Sequence, residues 1–302
     1  MDTNSKLSNN TAVILVSHGS TLPYAEEVFE EIKEKFIKKT NLPAEIGYMK
    51  VSKPTIAGAV EILKDEVEDL DKIIALPVFL APGIHTNIDI PQLLGLKPLE
   101  EDPRCPDGNY PPEHYLSIAD DVDFDGEIEL LSSIGPRDEL LDIIDKRIDE
   151  ALAQSKLGDV KTGVLLVTHG SRLNYNKEFA TELYNKFEKT CKYPSSFGFM
   201  ELCGPSIPES INKLVDENAL ERLVVVPVFI APGMHTTHDI PHILGFLEAH
   251  EHEHSHSHGH GDHDHVHDLT PVDFNGEILY PEPIKADDIL IDILAKMVEE
   301  KL

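Results

Sequence analysis

Histidines placed twice at matching positions are the residues of this chain best suited to chemistry. His18 stands in Val16-Ser17-His18-Gly19-Ser20, and the pattern returns as Val167-Thr168-His169-Gly170-Ser171. His85 closes Pro77-Val78-Phe79-Leu80-Ala81-Pro82-Gly83-Ile84-His85-Thr86, which returns as Pro227-Val228-Phe229-Ile230-Ala231-Pro232-Gly233-Met234-His235-Thr236. Near pH 7 a neutral imidazole both accepts a proton and offers a lone pair to borderline ions such as Co2+ and Ni2+. A lone histidine more often satisfies a turn. Here both pairs persist in copies whose neighbouring polar residues differ, which points to a metal or acid–base role. Two imidazoles with an open coordination sphere would hold an ion loosely enough to give it up, whereas a closed set of thiolates would trap it. The three cysteines, Cys105, Cys191 and Cys203, show no Cys-x-x-Cys spacing and do not recur between the copies, so neither a disulfide framework nor a thiolate metal site is expected.

Other chemistries fit less well. Ser20 and Ser171 lie beside histidines, but the Gly-x-Ser-x-Gly elbow is absent, and these serines are expected to cap the helices that follow. His-Gly-Ser with one glycine and no following Lys-Ser/Thr is not a phosphate loop. The repeated Asp89-Ile90-Pro91 and Asp239-Ile240-Pro241 read as helix starts with the aspartate as cap.

The elements that must position these residues follow from the patterning. Each copy opens on an apolar run, 12–17 and 163–168, of the kind found in strands covered on both faces. Val28, Ile32 and Phe36, like Phe179, Leu183 and Phe187, recur every four residues and share one helix face. A second strand (44–50, 196–202), a helix opened by proline (54–68, 205–218) and a third strand (72–81, 222–231) come next. Pro77 and Pro227 donate nothing to a ladder and belong at a bulge or at the strand's end. A short helix (89–95, 239–245), a fourth strand (127–132, 277–280) and a last helix (136–153, 287–301) complete each copy. Strands alternating with helices predict an α/β fold with parallel sheets, with ligands beyond the strands' carboxyl ends. The expectation is two tandem four-stranded domains, residues 1–155 and 160–302, facing each other across a cleft. The repeat period, about 150 residues, is far too long for a solenoid and matches one domain.

Composition narrows the class. The chain has 55 acidic against 26 basic residues, a net charge of −29, which argues against nucleic acid and anionic membranes as partners. No apolar run is long enough to span a bilayer, and residues 1–10 lack the apolar core of a signal peptide, so a reduced, cytoplasmic setting is expected. Histidines alternate through 250–267 (His250, His252, His254, His256, His258, His260, His263, His265, His267) in a polar, Gly-containing stretch that reads as a disordered loop. Such a loop gathers metal or is neutral.

Together His169 to Glu178, Phe199-Met200-Glu201, the run from Val226 to Pro241 and the His-rich stretch after Leu244-Gly245 resemble the short archaeal sirohydrochlorin cobalto/nickelochelatases of the class II chelatase superfamily. The resemblance covers nearly the whole chain, once per copy. Short members of that family are homodimers of one such domain, so this chain resembles the dimer fused into a pseudo-dimeric monomer. The resemblance implies ATP-independent insertion of Co2+ or Ni2+ into sirohydrochlorin, the metal being a substrate and no prosthetic group being needed, in service of cobalamin or a nickel tetrapyrrole coenzyme. It implies metal binding by His169 and His235, and by His18 and His85, with His169 and His18 as proton acceptors. It implies substrate contacts from Glu201 and from the loop Ile230, Ala231, Pro232, Gly233, Met234 and His235, matched in the first copy by Leu80, Ala81, Pro82, Gly83, Ile84 and His85.

The first copy departs from the family pattern. Thr21 stands where the second copy has Arg172, Lys50 where it has Glu201, Ile88 for His238 and Gln92 for His242. The second copy is therefore expected to be the principal catalytic half, with Lys50 placed to meet a substrate carboxylate. An acidic protein must gather positive charge locally for a polycarboxylate substrate, and Arg172, Lys177, Lys50, Lys53 and the helix starts at Ser20 and Ser171 are the candidates. Two other readings stay open at this level: a ferrochelatase serving sirohaem, and a His-rich metal storage or metallochaperone protein without tetrapyrrole chemistry.

Overall fold

The computed structural model describes residues 10–106, 108–171, 173–247 and 272–302. The first copy runs β1 (Thr11–Ser17), α1 (Pro23–Thr40), β2 (Ala44–Tyr48), α2 (Ile56–Glu66), β3 (Lys72–Pro77), a π-turn His85–Asp89 leading into α3 (Ile90–Leu93), α4 (Tyr115–Ile118), β4 (Glu127–Leu130) and α5 (Glu139–Ala153). The second repeats it as β5 (Thr162–Thr168), α6 (Asn174–Phe187), β6 (Ser195–Phe199), α7 (Ile207–Asn218), β7 (Arg222–Pro227), a π-turn His235–Asp239, α8 (Ile240–Ile243), β8 (Glu277–Leu279) and α9 (Asp288–Glu299).

Each copy contributes one four-stranded parallel sheet, ordered β2-β1-β3-β4 and β6-β5-β7-β8. β1 and β5 lie centrally and are buried along their whole length, as their uninterrupted apolar runs require. The chain leaves β1 to one side and returns to its other side as β3. The crevice beyond the carboxyl ends of these adjacent strands is a topological switch point, where open α/β sheets place ligands. Pro77 and Pro227 are the last residues of β3 and β7, so their missing N–H costs the ladder nothing; Val78 N resumes with Val16 O at 2.9 Å. One face of α1 buries Val28, Ile32 and Phe36, and one face of α6 buries Phe179, Leu183 and Phe187.

Some helix starts differ from the reading above. Proline does not open α2 and α7, which begin after Thr55 and Ser206. Thr55 Oγ1 accepts from Gly58 N at 3.1 Å, and Ser206 with Glu209 forms a reciprocal capping box. Ser20 and Ser171 do not cap α1 and α6. Each hydroxyl accepts instead from the backbone N–H two residues on, at Leu22 and Leu173 (3.1 Å), which tightens the turn and leaves the helices to start at Pro23 and Asn174.

The chain packs as two compact units, the first Met1–Ile143 with Ile284–Leu302, the second Ile144–Pro283. α9 thus belongs to the second copy by sequence and to the first unit by packing. It lies on α1, with Lys35 paired to Asp288 at 3.0 Å and Lys39 to Asp292 at 2.6 Å. The three cysteines form no disulfide, and among the described residues no helix is long and apolar enough to cross a membrane.

Candidate metal centre

His169 follows directly on β5, and Glu201 follows β6 by two residues. His235 opens the π-turn that begins beyond β7. Backbone geometry brings the first two together. Glu201 N donates to His169 O at 3.0 Å, and Cys203 N donates back to Glu201 O at 2.8 Å across Leu202, whose φ of +66° is uncommon for a branched residue. Gly170, at φ +92°, lies so close beneath this turn that a Cβ would come within 1.9 Å of Glu201 O. Only glycine fits there, which explains why His-Gly is written twice.

Both imidazoles are pinned through Nδ1. His169 Nδ1 lies 3.0 Å from Gly170 O, and His235 Nδ1 lies 2.6 Å from Asp239 Oδ2. A carbonyl or carboxylate oxygen only accepts, so both Nδ1 atoms carry the proton and each Nε2 keeps its lone pair. The two rings meet edge to face with centroids 4.8 Å apart. Glu201 Oε1 stands 3.4 Å from His169 Nε2, and His169, Glu201 and His235 each bring one ligand atom to within 4.8 Å of the others. Electron pairs facing one another across a short gap repel unless a cation or proton lies between them. A metal about 2.1 Å from each ligand would draw the trio slightly together. The His169 and His235 side chains are 41% and 34% exposed, so the centre is open on one side.

The first copy keeps the histidine geometry and changes its surroundings. His18 Nδ1 is 3.0 Å from Gly19 O, His85 Nδ1 is 2.6 Å from Asp89 Oδ2, and the ring centroids are 5.0 Å apart. Lys50 occupies the position of Glu201, with its N–H donated to His18 O at 3.3 Å and its carbonyl against Gly19. Burial, reinforced by the Lys50 ammonium, brings the His18 pKa down to about 4. Burial and the nearby Arg104 also lower that of Lys50. Asp89 is fully buried and accepts from His85, Arg104 and Tyr115; burial alone would raise its pKa, but these donors hold it below the usual carboxylate range. Asp239 is part-exposed.

The structure brings together His169, Glu201 and His235, and separately His18, Lys50 and His85. The loop residues Ile230, Ala231, Pro232, Gly233 and His235 are half-buried and Met234 is exposed; Leu80, Ala81, Pro82, Gly83, Ile84 and His85 are all half-buried. Lys53 and Lys177 are exposed. Arg172 and the His-rich stretch lie outside the described residues. The main omission from the sequence reading is Asp89 and Asp239, whose side chains cap no helix but orient His85 and His235. The signal was there as His-x-x-x-Asp in both copies. Arg104 and Tyr115 carried no such signal, being in the stretch where the copies diverge.

The CbiX family model matches residues 12–151 and again 163–301. The chain belongs to the CbiX family. It is 46% identical over 142 residues to the sirohydrochlorin cobaltochelatase of Methanothermobacter thermautotrophicus, covering 47% of this chain and 94% of the relative. It is 46% identical over 140 residues to that of Methanopyrus kandleri, covering 46% and 96%. Each relative thus corresponds to about half of this CbiX chain, in keeping with the duplication. Among solved structures, SirB from Bacillus subtilis with Fe3+ aligns with a TM-score of 0.65 at 18% identity, over 96% of this chain and 95% of the other. The CbiX described as the terminal enzyme for biosynthesis of siroheme in denitrifying bacteria aligns at 0.58 and 16%, over 97% and 99%. At such identities these two likenesses speak for the fold alone.

Proposed function

We propose that this chain is a chelatase that inserts Co2+ or Ni2+ into sirohydrochlorin without ATP, with His169, Glu201 and His235 holding the ion and His169 receiving pyrrole protons. The observation that carries the reading is the trio itself: two imidazoles with Nε2 lone pairs and one carboxylate within 4.8 Å, open on one side. Family membership and the cobaltochelatase names of the relatives support it.

Metallation requires the macrocycle to lose its inner N–H protons as the cation enters. Three protein ligands leave coordination positions free for pyrrole nitrogens, so bonds to the macrocycle form before all bonds to the protein break. The ion's departure frees the lone pairs it occupied, and these are where the protons go. His169 Nε2 is the atom that accepts, because its Nδ1–H is already committed to Gly170 O. The resulting imidazolium lies 3.4 Å from the Glu201 carboxylate, an ion pair that stabilises the protonated state. An imidazole and carboxylate set binds Co2+, Ni2+ and Fe2+ alike, and the relatives' names favour cobalt.

The test is anaerobic incubation with sirohydrochlorin and Co2+, Ni2+ or Fe2+ in turn, followed by visible absorption. The spectrum should shift to that of the metal complex, fastest with Co2+. Ions bound with an unchanged tetrapyrrole spectrum would contradict the proposal and favour metal storage.

A further inference from the structure

Lys50 and Glu201 start from the same backbone geometry, each at a positive-φ turn (Val51 at +69°, Leu202 at +66°) braced by glycine, yet they carry opposite charge beside near-identical histidine pairs. In the second unit the acidic group completes a three-ligand set. In the first, a lysine stands at the matching position, and its charge opposes a cation beside the histidines. Lys50 Nζ rests over the Tyr115 ring, 5.1 Å from its centroid. Among the described residues no carboxylate lies within ion-pair distance of it, because those in its surroundings are already engaged. Asp89 accepts from His85, Arg104 and Tyr115, and Asp102 accepts from Arg104 and Tyr110. A half-buried ammonium with the Asp89 carboxylate near but not in direct contact keeps a desolvation cost that an incoming anion would relieve.

We propose that the first copy's histidine pair has ceased to be a metal centre and has become a carboxylate-recognition site centred on Lys50, so that each chain holds one metal centre, in the second unit. The inference rests on the proposed function for its ligand, a carboxylate arm of the anionic tetrapyrrole. Tyr115 supports the Lys50 stem and keeps the ammonium in one direction, while Arg104, saturated by Asp89 and Asp102, fixes that support rather than binding the ligand. The polarity change at position 50 and the contacts of Arg104 and Tyr115 with Asp89 belong to one conversion. Both replace a gap that attracts cations with one that attracts anions.

The test uses the full chain and metal-free sirohydrochlorin, whose fluorescence reports binding, together with Lys50→Ala, Lys50→Arg and Lys50→Glu. Affinity should fall about tenfold or more for Lys50→Ala, the range of a lost charge-assisted hydrogen bond, and further for Lys50→Glu, while Lys50→Arg keeps most of it. In parallel, Co2+ bound per chain is counted by equilibrium dialysis. Replacing His169 and His235 with alanine should remove one ion, and replacing His18 and His85 should remove none. Unchanged affinity in Lys50→Ala, equal losses in the Ala and Arg variants, or one ion lost from each histidine pair would overturn the inference. An unmodified chain that fails to bind sirohydrochlorin would sink the proposed function as well, whereas metal insertion with a Lys50→Ala chain of undiminished affinity would sink only the carboxylate site.

Discussion

Asp239 shows how one residue sets what its neighbour can do. By accepting the Nδ1 proton of His235 at 2.6 Å it leaves the Nε2 lone pair available for the proposed metal and fixes the ring's orientation. Asp239→Asn keeps the size and loses the charge and the enforced tautomer, so Co2+ affinity at the centre should fall about 10- to 100-fold, as measured by metal competition. His18 makes a pH-dependent contribution of the opposite kind. Its folded pKa, about 4, lies below the ordinary 6.5, so the folded state refuses a proton that the unfolded chain accepts. Its neutral state costs nothing above pH 6.5, and stability then declines as pH falls toward 4, by up to about 3 kcal/mol. In metal-free protein, His18→Gln should therefore lose less stability than the parent between pH 7 and pH 4.5 in denaturant titrations. Parallel losses would mean that His18 is not held neutral.

At the scale of elements, the centre depends on two turns that interlock beyond adjacent strands. Gly170→Ala would drive a methyl group into Glu201 O and impose a left-handed conformation on alanine; it should destabilise the second unit by roughly 2–4 kcal/mol and abolish insertion even in the folded fraction. The strands, their parallel direction and the place of the histidines just beyond strand ends were legible in the sequence, because the central strands are apolar throughout and His-Gly or a proline marks where they stop; the order of strands in each sheet was not. The helix starts were less so. Ser206 and Thr55 outcompete the preceding prolines as caps, and Ser20 and Ser171 satisfy their own turns first. Asp89 and Asp239 were misread for a physical reason: an aspartate before Ile-Pro looks like a cap, and only the π-turn places its carboxylate under the histidine four residues earlier.

On the scale of the whole molecule, the repeat and the compact units are different divisions of one chain. α9 carries seven buried residues, among them Leu290, Leu294 and Val298, and counts with the first unit. No periodicity within α9 announces which sheet it will cover, since an amphipathic face fits either copy. On the proposed assignment, duplication let one histidine pair change its chemistry while the other kept it. The measurement that tests this most directly is anaerobic cobalt insertion into sirohydrochlorin by two full-length variants, His169→Ala/His235→Ala and His18→Ala/His85→Ala, at saturating metal and tetrapyrrole. The first should lose insertion by at least a hundredfold, the loss of two of three ligands, and the second should retain turnover of the parent's order. Comparable losses in the two variants, or a greater loss in the second, would contradict the account.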